Sequence, residues 1–208
     1  MGSAASISGM ALIYLASQSP RRRQLLEQLG VPHETLLPGP EEDAEALEQQ
    51  LAGELPDDYV RRVTRAKLQA AQLRLTRRGL GVLPVLCSDT TVALGREILG
   101  KPEDPDDALR ILRRLSGHTH RVLTAVSLAW PGGEAQAVSV SHVRFAAIPE
   151  LALQRYVGSG EPMGKAGAYA IQGRIAAWIE HMEGSYSGIM GLPLFETAQL
   201  LRQAGIEA

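Results

Sequence analysis

The chain has 208 residues, 45% hydrophobic and 21% charged, and its 21 basic and 23 acidic side chains leave a net charge of −2. That length and composition fit one globular domain, or one domain with a lobed shape, and exclude a disordered chain. The near-neutral charge excludes a general basic field for nucleic acid, and a single cysteine, Cys87, excludes an internal disulfide.

Residues 1–9, Met-Gly-Ser-Ala-Ala-Ser-Ile-Ser-Gly, are small and polar and precede Met10, which reads as a leader or expression remnant ahead of a single domain over 10–208. An apolar run from Ala11 to Ala16 then enters Ser17-Gln-Ser-Pro-Arg-Arg-Arg-Gln-Leu-Leu26, a pattern of strand, tight turn and helix. Ser19 is suited to cap the helix and Pro20 to its first position. Three arginines follow in the first turn, where the helix dipole disfavours cations unless an anion compensates them, so an anion is expected at this end.

Gly30-Val-Pro32 ends that segment, and His33 to Leu37 form a short predicted strand. Pro38-Gly-Pro-Glu-Glu-Asp43 is an acidic turn, and residues 44–56 read as a solvent-exposed excursion without chemistry. From Asp57, Val60, Val63, Leu68, Ala71 and Leu75 recur at helical spacing up to Gly79, with Lys67 beside the apolar stripe and long enough to reach into a cleft. Val82 to Cys87 is an apolar run feeding Ser88-Asp-Thr-Thr-Val92. A carboxylate at the end of a buried strand needs a partner, and ligands of α/β sheets gather at strand ends, which makes Asp89 the foremost acid. Cys87 reads as a buried strand thiol.

Gly95 to Pro102 predicts a turn, a short strand and an exposed Lys101. Asp104-Pro105 caps a helix whose inner face is Ala108, Ile111, Leu112 and Leu115, and Thr119 to Trp130 and Glu134 to Phe145 form a long antiparallel hairpin. His118 and His120 share a strand face at a spacing that can bind metal, but without a third ligand nearby they read as ordinary polar residues. Pro149 opens a helix to Gly158. Gly160 to Tyr169 contains a Gly-Lys pair but is no P-loop: Ser159 stands where the first glycine belongs and Ala166 replaces the magnesium-binding hydroxyl. Ile175 to Met182 is a predicted strand, Gly184 to Gly188 a loop, and Pro193 to Gln203 the closing helix. The class is mixed α/β.

Cations at a helix start and at Lys67, Lys101 and Lys165, acids at 41–43 and 89, and glycine loops between them suit a nucleoside triphosphate with its divalent metal. The same pieces resemble the Maf family of nucleotide pyrophosphatases from Leu12 to about Leu201. They are Leu15-Ala-Ser-Gln-Ser-Pro-Arg-Arg-Arg-Gln-Leu-Leu26, Ser88-Asp-Thr90, Leu99-Gly-Lys-Pro102, Leu115-Ser-Gly-His-Thr-His-Arg-Val122, Lys165-Ala-Gly-Ala-Tyr-Ala-Ile-Gln-Gly173 and Gly191-Leu-Pro-Leu194. The resemblance implies an elongated mixed sheet flanked by helices, like that of inosine triphosphate pyrophosphatases, with a cleft between two lobes. It implies Mg²⁺- or Mn²⁺-dependent hydrolysis of a nucleoside triphosphate to the monophosphate and pyrophosphate, in a homodimer. The lone cysteine, the near-neutral charge and the lack of a membrane-length apolar stretch make the expected setting cytoplasmic, with neither nucleic acid nor membrane as partner.

Within the family the chain is similar to the branch acting on dTTP and UTP, rather than on 7-methyl-GTP or as a non-catalytic regulator of septum formation. The resemblance assigns substrate selection to Arg21, Thr90 and Gln172 and proton acceptance to Asp89, and it carries over Lys67. From their charge and placement, Lys67 and Lys101 are expected to assist catalysis, and Ser17, Arg22 and Lys165 to bind phosphate. Metal falls to Asp89 and Glu42, with Glu41 and Asp43 as alternatives to Glu42, because the acidic stretch runs longer here than in the family. Ala66 stands where the family usually has Glu before Lys67.

Overall fold

The computed structural model describes residues 11–208; the expected leader at 1–9 lies outside them. Seven strands, β1 (Ile13–Leu15), β2 (His33–Thr35), β3 (Val85–Leu94), β4 (Glu97–Leu99), β5 (Thr119–Trp130), β6 (Gly133–Phe145) and β7 (Ile179–Glu183), form one sheet. Their order is β2-β1-β3-β5-β6-β7, with β4 on part of β3. The parallel part joins β1 to β2 and β3, because α1 (Pro20–Gln28) and α2 (Pro56–Arg77) make the crossovers. The rest is antiparallel: β4 folds back on β3, and β5 and β6 pair along the whole hairpin expected from Pro131-Gly-Gly.

Alternation along β3 and β5 divides the core. Cys87, Ala93, Leu123 and Ala125 face α2, whose Val60, Leu68 and Ala71 are fully buried against them. The opposite face packs α1 and α6 (Leu194–Gln203) around Leu25, Leu26, Val126 and Leu128. Farther along that face, α3 (Pro105–Leu115) and α4 (Glu150–Gly158) cluster with Val92, Val122, Phe145 and Tyr169.

Three expectations change. Residues 175–182 are not one strand: Glu161 accepts the Arg174 amide at 3.1 Å, Ala176 closes a tight turn on the Gly173 carbonyl at 3.0 Å, and a 3-10 segment (Arg174–Trp178) precedes β7 (Ile179–Glu183). Ala176 and Ala177 are poor strand formers, so the local bonds prevail. The glycine-rich loop at 184–188 instead contains α5 (Tyr186–Met190), started by the Ser185 hydroxyl accepting the Gly188 amide at 2.9 Å. Residues 44–56 are an ordered turn, whose 3-10 segment Ala46–Glu48 is anchored to α2 by the Tyr59 hydroxyl on the Glu48 carbonyl at 2.8 Å and by the Arg62 guanidinium on Gln49 and Glu54.

The two histidines also part. His118 precedes the strand and is exposed, whereas His120 is buried against Phe145 and Tyr169, its Nε2 2.7 Å from the Tyr169 hydroxyl. Burial lowers the His120 pKa to about 4 from an ordinary 6.5. A base depressed in the folded state contributes stability that is complete above pH 6.5 and is lost as pH falls through about 4, at most about 3 kcal/mol. Urea unfolding at pH 7.5 and pH 5 should therefore show the wild type losing more stability than His120→Gln over that interval; parallel losses would contradict the assignment.

Candidate functional site

The site forms where β3 has lost one neighbour and not yet gained the next. β1 ends opposite Leu86, the antiparallel β4 reaches back only as far as Val92, and among the described residues no strand covers that edge of β3 between them. A groove of about 910 Å³ opens there. Successive side chains of β3 point to opposite faces, so Asp89 turns towards α2 and Thr90 towards α1 and α5.

On the Asp89 side, Lys67 crosses from the edge of the α2 apolar stripe and places Nζ 2.5 Å from Asp89 Oδ1 and 2.8 Å from Glu48 Oε1. Lys101, presented where the chain leaves β4, meets the other oxygen of Glu48 at 2.6 Å. Burial works against the charge on Lys67, but Asp89 and Glu48 outweigh it and raise its pKa. Burial likewise works against ionised Glu48, yet the Lys67 and Lys101 ammoniums hold its pKa below the ordinary value. At neutral pH the Lys67–Glu48 pair is therefore charged on both sides.

Glu48 lies in the stretch read from sequence as an exposed excursion without chemistry, whereas Glu42, which lines the same groove, is engaged by Arg74 rather than by the groove lysines. Glu42 accepts two bonds from Arg74 Nε and Nη2, at 2.8 and 2.7 Å, and one from the Gly39 amide at 3.1 Å. The Arg74 bonds bring its pKa to about 2. Arg74 also donates to the Leu36 carbonyl and is 6% exposed, so Glu42 ties the acidic turn to α2 as a strut. Glu41 and Asp43 are exposed; Asp43 caps the Ala46 amide.

On the Thr90 side, Ser19 caps α1 as expected, accepting the Arg22 amide at 3.5 Å, with Pro20 at the first position. Arg22 is held at three points: Nε on the Gly191 carbonyl at 2.7 Å, Nη1 on Ser17 at 3.4 Å and Nη2 on Thr90 at 3.3 Å. A guanidinium has five N–H donors, so two remain for an anion. Burial lowers the Arg22 pKa, and Asp89 opposes it. Ser17 accepts from Arg22 and from the Ser19 amide, which leaves its own proton to donate. Arg21 lines the groove.

The Lys165 turn docks through the Gly167 amide on the Gly100 carbonyl at 3.0 Å, which sets Lys165 and Lys101 on one rim. Lys165 is bonded to the Glu161 carbonyl, and burial, with Arg21 nearby, lowers its pKa. Gly167 has φ +68°, and a Cβ there would meet Val92 side-chain atoms at 2.8 to 2.9 Å. Gly167→Ala should thus cost roughly 2 kcal/mol or more, from left-handed backbone and clash together, and lower the thermal midpoint by several degrees; an unchanged midpoint would contradict the packing. Gln172 is exposed and lies outside the groove lining, whereas its neighbour Ile171 lines it together with Met163, Tyr169 and Met190. Cys87 is buried, its pKa pushed up to about 12 by burial, which suits core packing.

The fold and groove define an α/β protein that gathers Arg22, Lys67, Lys101 and Lys165 about two carboxylates, an arrangement for a polyanion. The profile of the Maf-like proteins matches residues 12–204, and the chain belongs to that family. It is 63% identical over 195 residues to the dTTP/UTP pyrophosphatase of Albidiferax ferrireducens, covering 94% of this chain and 98% of the relative. The dTTP/UTP pyrophosphatases of a Polaromonas species and of Cupriavidus metallidurans are 62% and 61% identical, covering 94% of this chain in each case and 96% and 98% of those relatives.

Proposed function

We infer that this chain is a nucleoside triphosphate pyrophosphatase that hydrolyses dTTP and UTP to the monophosphate and pyrophosphate. The observation that carries the reading is the convergence of Asp89, Lys67, Glu48 and Lys101 at one end of a groove whose other side holds Arg22. Relatives at 61–63% identity, named dTTP/UTP pyrophosphatases, supply the substrate class.

In this reading the phosphate chain lies between the two sides of β3, towards the free N–H groups of Arg22, the Ser17 hydroxyl, Lys101 and Lys165. Asp89 Oδ1 is engaged by Lys67, so Oδ2 is the atom proposed to orient a water and take its proton as the water attacks the α-phosphorus. Lys67 holds that carboxylate in one orientation and carries positive charge to the phosphate oxygens. The pyrophosphate leaves against Lys101 and Lys165. Ile171, Met163, Tyr169 and Met190 offer apolar walls for the base, on the Thr90 side with Arg21.

Mg²⁺ binds through one or two carboxylates together with substrate phosphates, and among the described residues no group of three or more His, Cys, Asp or Glu forms a complete cage. Two carboxylates that meet the same ammonium fit that requirement. Glu48 and Asp89 are therefore the proposed ligands of Mg²⁺ or Mn²⁺, with Glu48 in place of Glu42, and the ion would neutralise phosphate charge. The remaining parts, a single domain over 10–208, a homodimer and a cytoplasmic location, are carried from the sequence and the family resemblance. The single domain is supported by hydrophobic clusters that pack the helices against one sheet, and among the described residues no helix is long and apolar enough to cross a membrane.

The test is pyrophosphate release by purified protein with Mg²⁺ over a nucleotide panel. The reading predicts dTTP and UTP as preferred substrates; preference for 7-methyl-GTP, or binding without turnover, would overturn it.

A further inference from the structure

Thr124, fully buried in the middle of β5, lies opposite Thr90 in the strand register and beneath the groove floor rather than on it. Its hydroxyl is 2.7 Å from the Gly188 carbonyl, which can only accept, so the single Thr124 proton points there. The Thr90 and Thr124 hydroxyls are 3.0 Å apart, and with the Thr124 proton committed, Thr90 must be the donor between them. Arg22 Nη2 donates to Thr90 at 3.3 Å. The result is a one-way chain of donors from Arg22 through Thr90 and Thr124 to the backbone of α5. Gly188 is fixed in turn, since its carbonyl also takes the Gly191 amide at 3.0 Å.

From this chain we propose that Thr124 is a positioning residue for base selection: it draws the Thr90 proton inward, so that Thr90 faces the groove as an acceptor only. The inference rests on the reaction proposed above. Thr90 stands on the sheet face that continues into Val92 and Val122, beside the apolar walls of Tyr169 and Ile171. There its remaining lone pair can accept the ring N3–H of uracil or thymine. It has no proton to offer cytosine, whose N3 is itself an acceptor. A hydroxyl free to turn would tolerate both rings; one pinned from below prefers the ring that donates.

The test compares kcat/KM for UTP and CTP in the wild type, Thr124→Val and Thr124→Ser. Valine fills the same space without donor or acceptor and frees the Thr90 proton. Thr124→Val should lower UTP kcat/KM about five- to tenfold, the range of one hydrogen bond, while CTP hydrolysis holds or rises, so that the UTP:CTP ratio narrows. Thr124→Ser, which keeps the hydroxyl, should restore the ratio. A folded valine variant with an unchanged UTP:CTP ratio, or with equal loss on both nucleotides, overturns the proposal. If the valine variant does not accumulate, Thr124→Cys, with its weak donor, gives the same comparison. Wild-type protein that cleaves neither nucleotide would instead overturn the reaction assignment.

Discussion

Asp89→Asn should lower kcat on dTTP and UTP by about two to four powers of ten, the contribution of a positioned general base. The amide is nearly isosteric and can still accept from Lys67 through its oxygen, so the fold and the groove persist while the proton-accepting oxygen is gone. KM should change far less than kcat, because the groups proposed to hold the phosphates, Arg22, Ser17, Lys101 and Lys165, are left intact. Steady-state kinetics on a variant whose circular dichroism matches the wild type give the answer. A variant that turns over within a few-fold of the wild type would remove Asp89 from the chemistry.

Glu48→Gln and Glu42→Gln should separate activity from stability. Glu48 meets two lysines at the groove, and its neutralisation should cost about a hundredfold in activity or metal affinity, with the Mg²⁺ concentration for half-maximal rate shifted upward. Glu42 is paired with Arg74 away from Asp89, so its neutralisation should leave turnover nearly intact and cost roughly 2–3 kcal/mol in stability, somewhat below the loss for a wholly buried pair. The acid sensitivity follows with a definite sign. Held at about 2 against an ordinary 4.5, Glu42 stabilises the fold above pH 4.5, and that stability disappears as pH falls through about 2. Reversed phenotypes, with Glu42→Gln inactive and Glu48→Gln merely less stable, would return the metal to the Glu42 position.

The contrast between these two acids shows what is legible in this sequence. Periodic features declare themselves: the α2 stripe, the inner face of α3 and the β5–β6 hairpin were readable from spacing, because burial of one face imposes a period. The start of α1 was readable from Ser19-Pro20, because cap and proline have local causes. Lys67 could be picked out for its place at the edge of a stripe and Asp89 for its place in a strand. Glu48 could not, since it lies in a non-repeating turn among Glu41, Glu42, Asp43, Glu45 and Glu54, and what singles it out is two lysines 19 and 53 residues away. Tyr59 and Arg62, set on α2 to catch the Glu48 and Gln49 carbonyls, were the signals that this turn is anchored, and their meaning depends on knowing where α2 runs. Thr124 was hidden for the same reason, as an ordinary strand residue until register places it against Thr90. Arg22, Lys101 and Lys165, singled out from sequence, line one groove with Asp89, but the third selection residue implied by the resemblance, Gln172, is exposed outside the lining.

In the proposed reaction, a water oriented by Asp89 attacks the α-phosphorus. Hydrolysis of UTP in oxygen-18 water, followed by mass spectrometry of both products, tests this most directly. One labelled oxygen in the nucleoside monophosphate, with unlabelled pyrophosphate, is the predicted result; label in the pyrophosphate, or orthophosphate and a diphosphate as products, would contradict it.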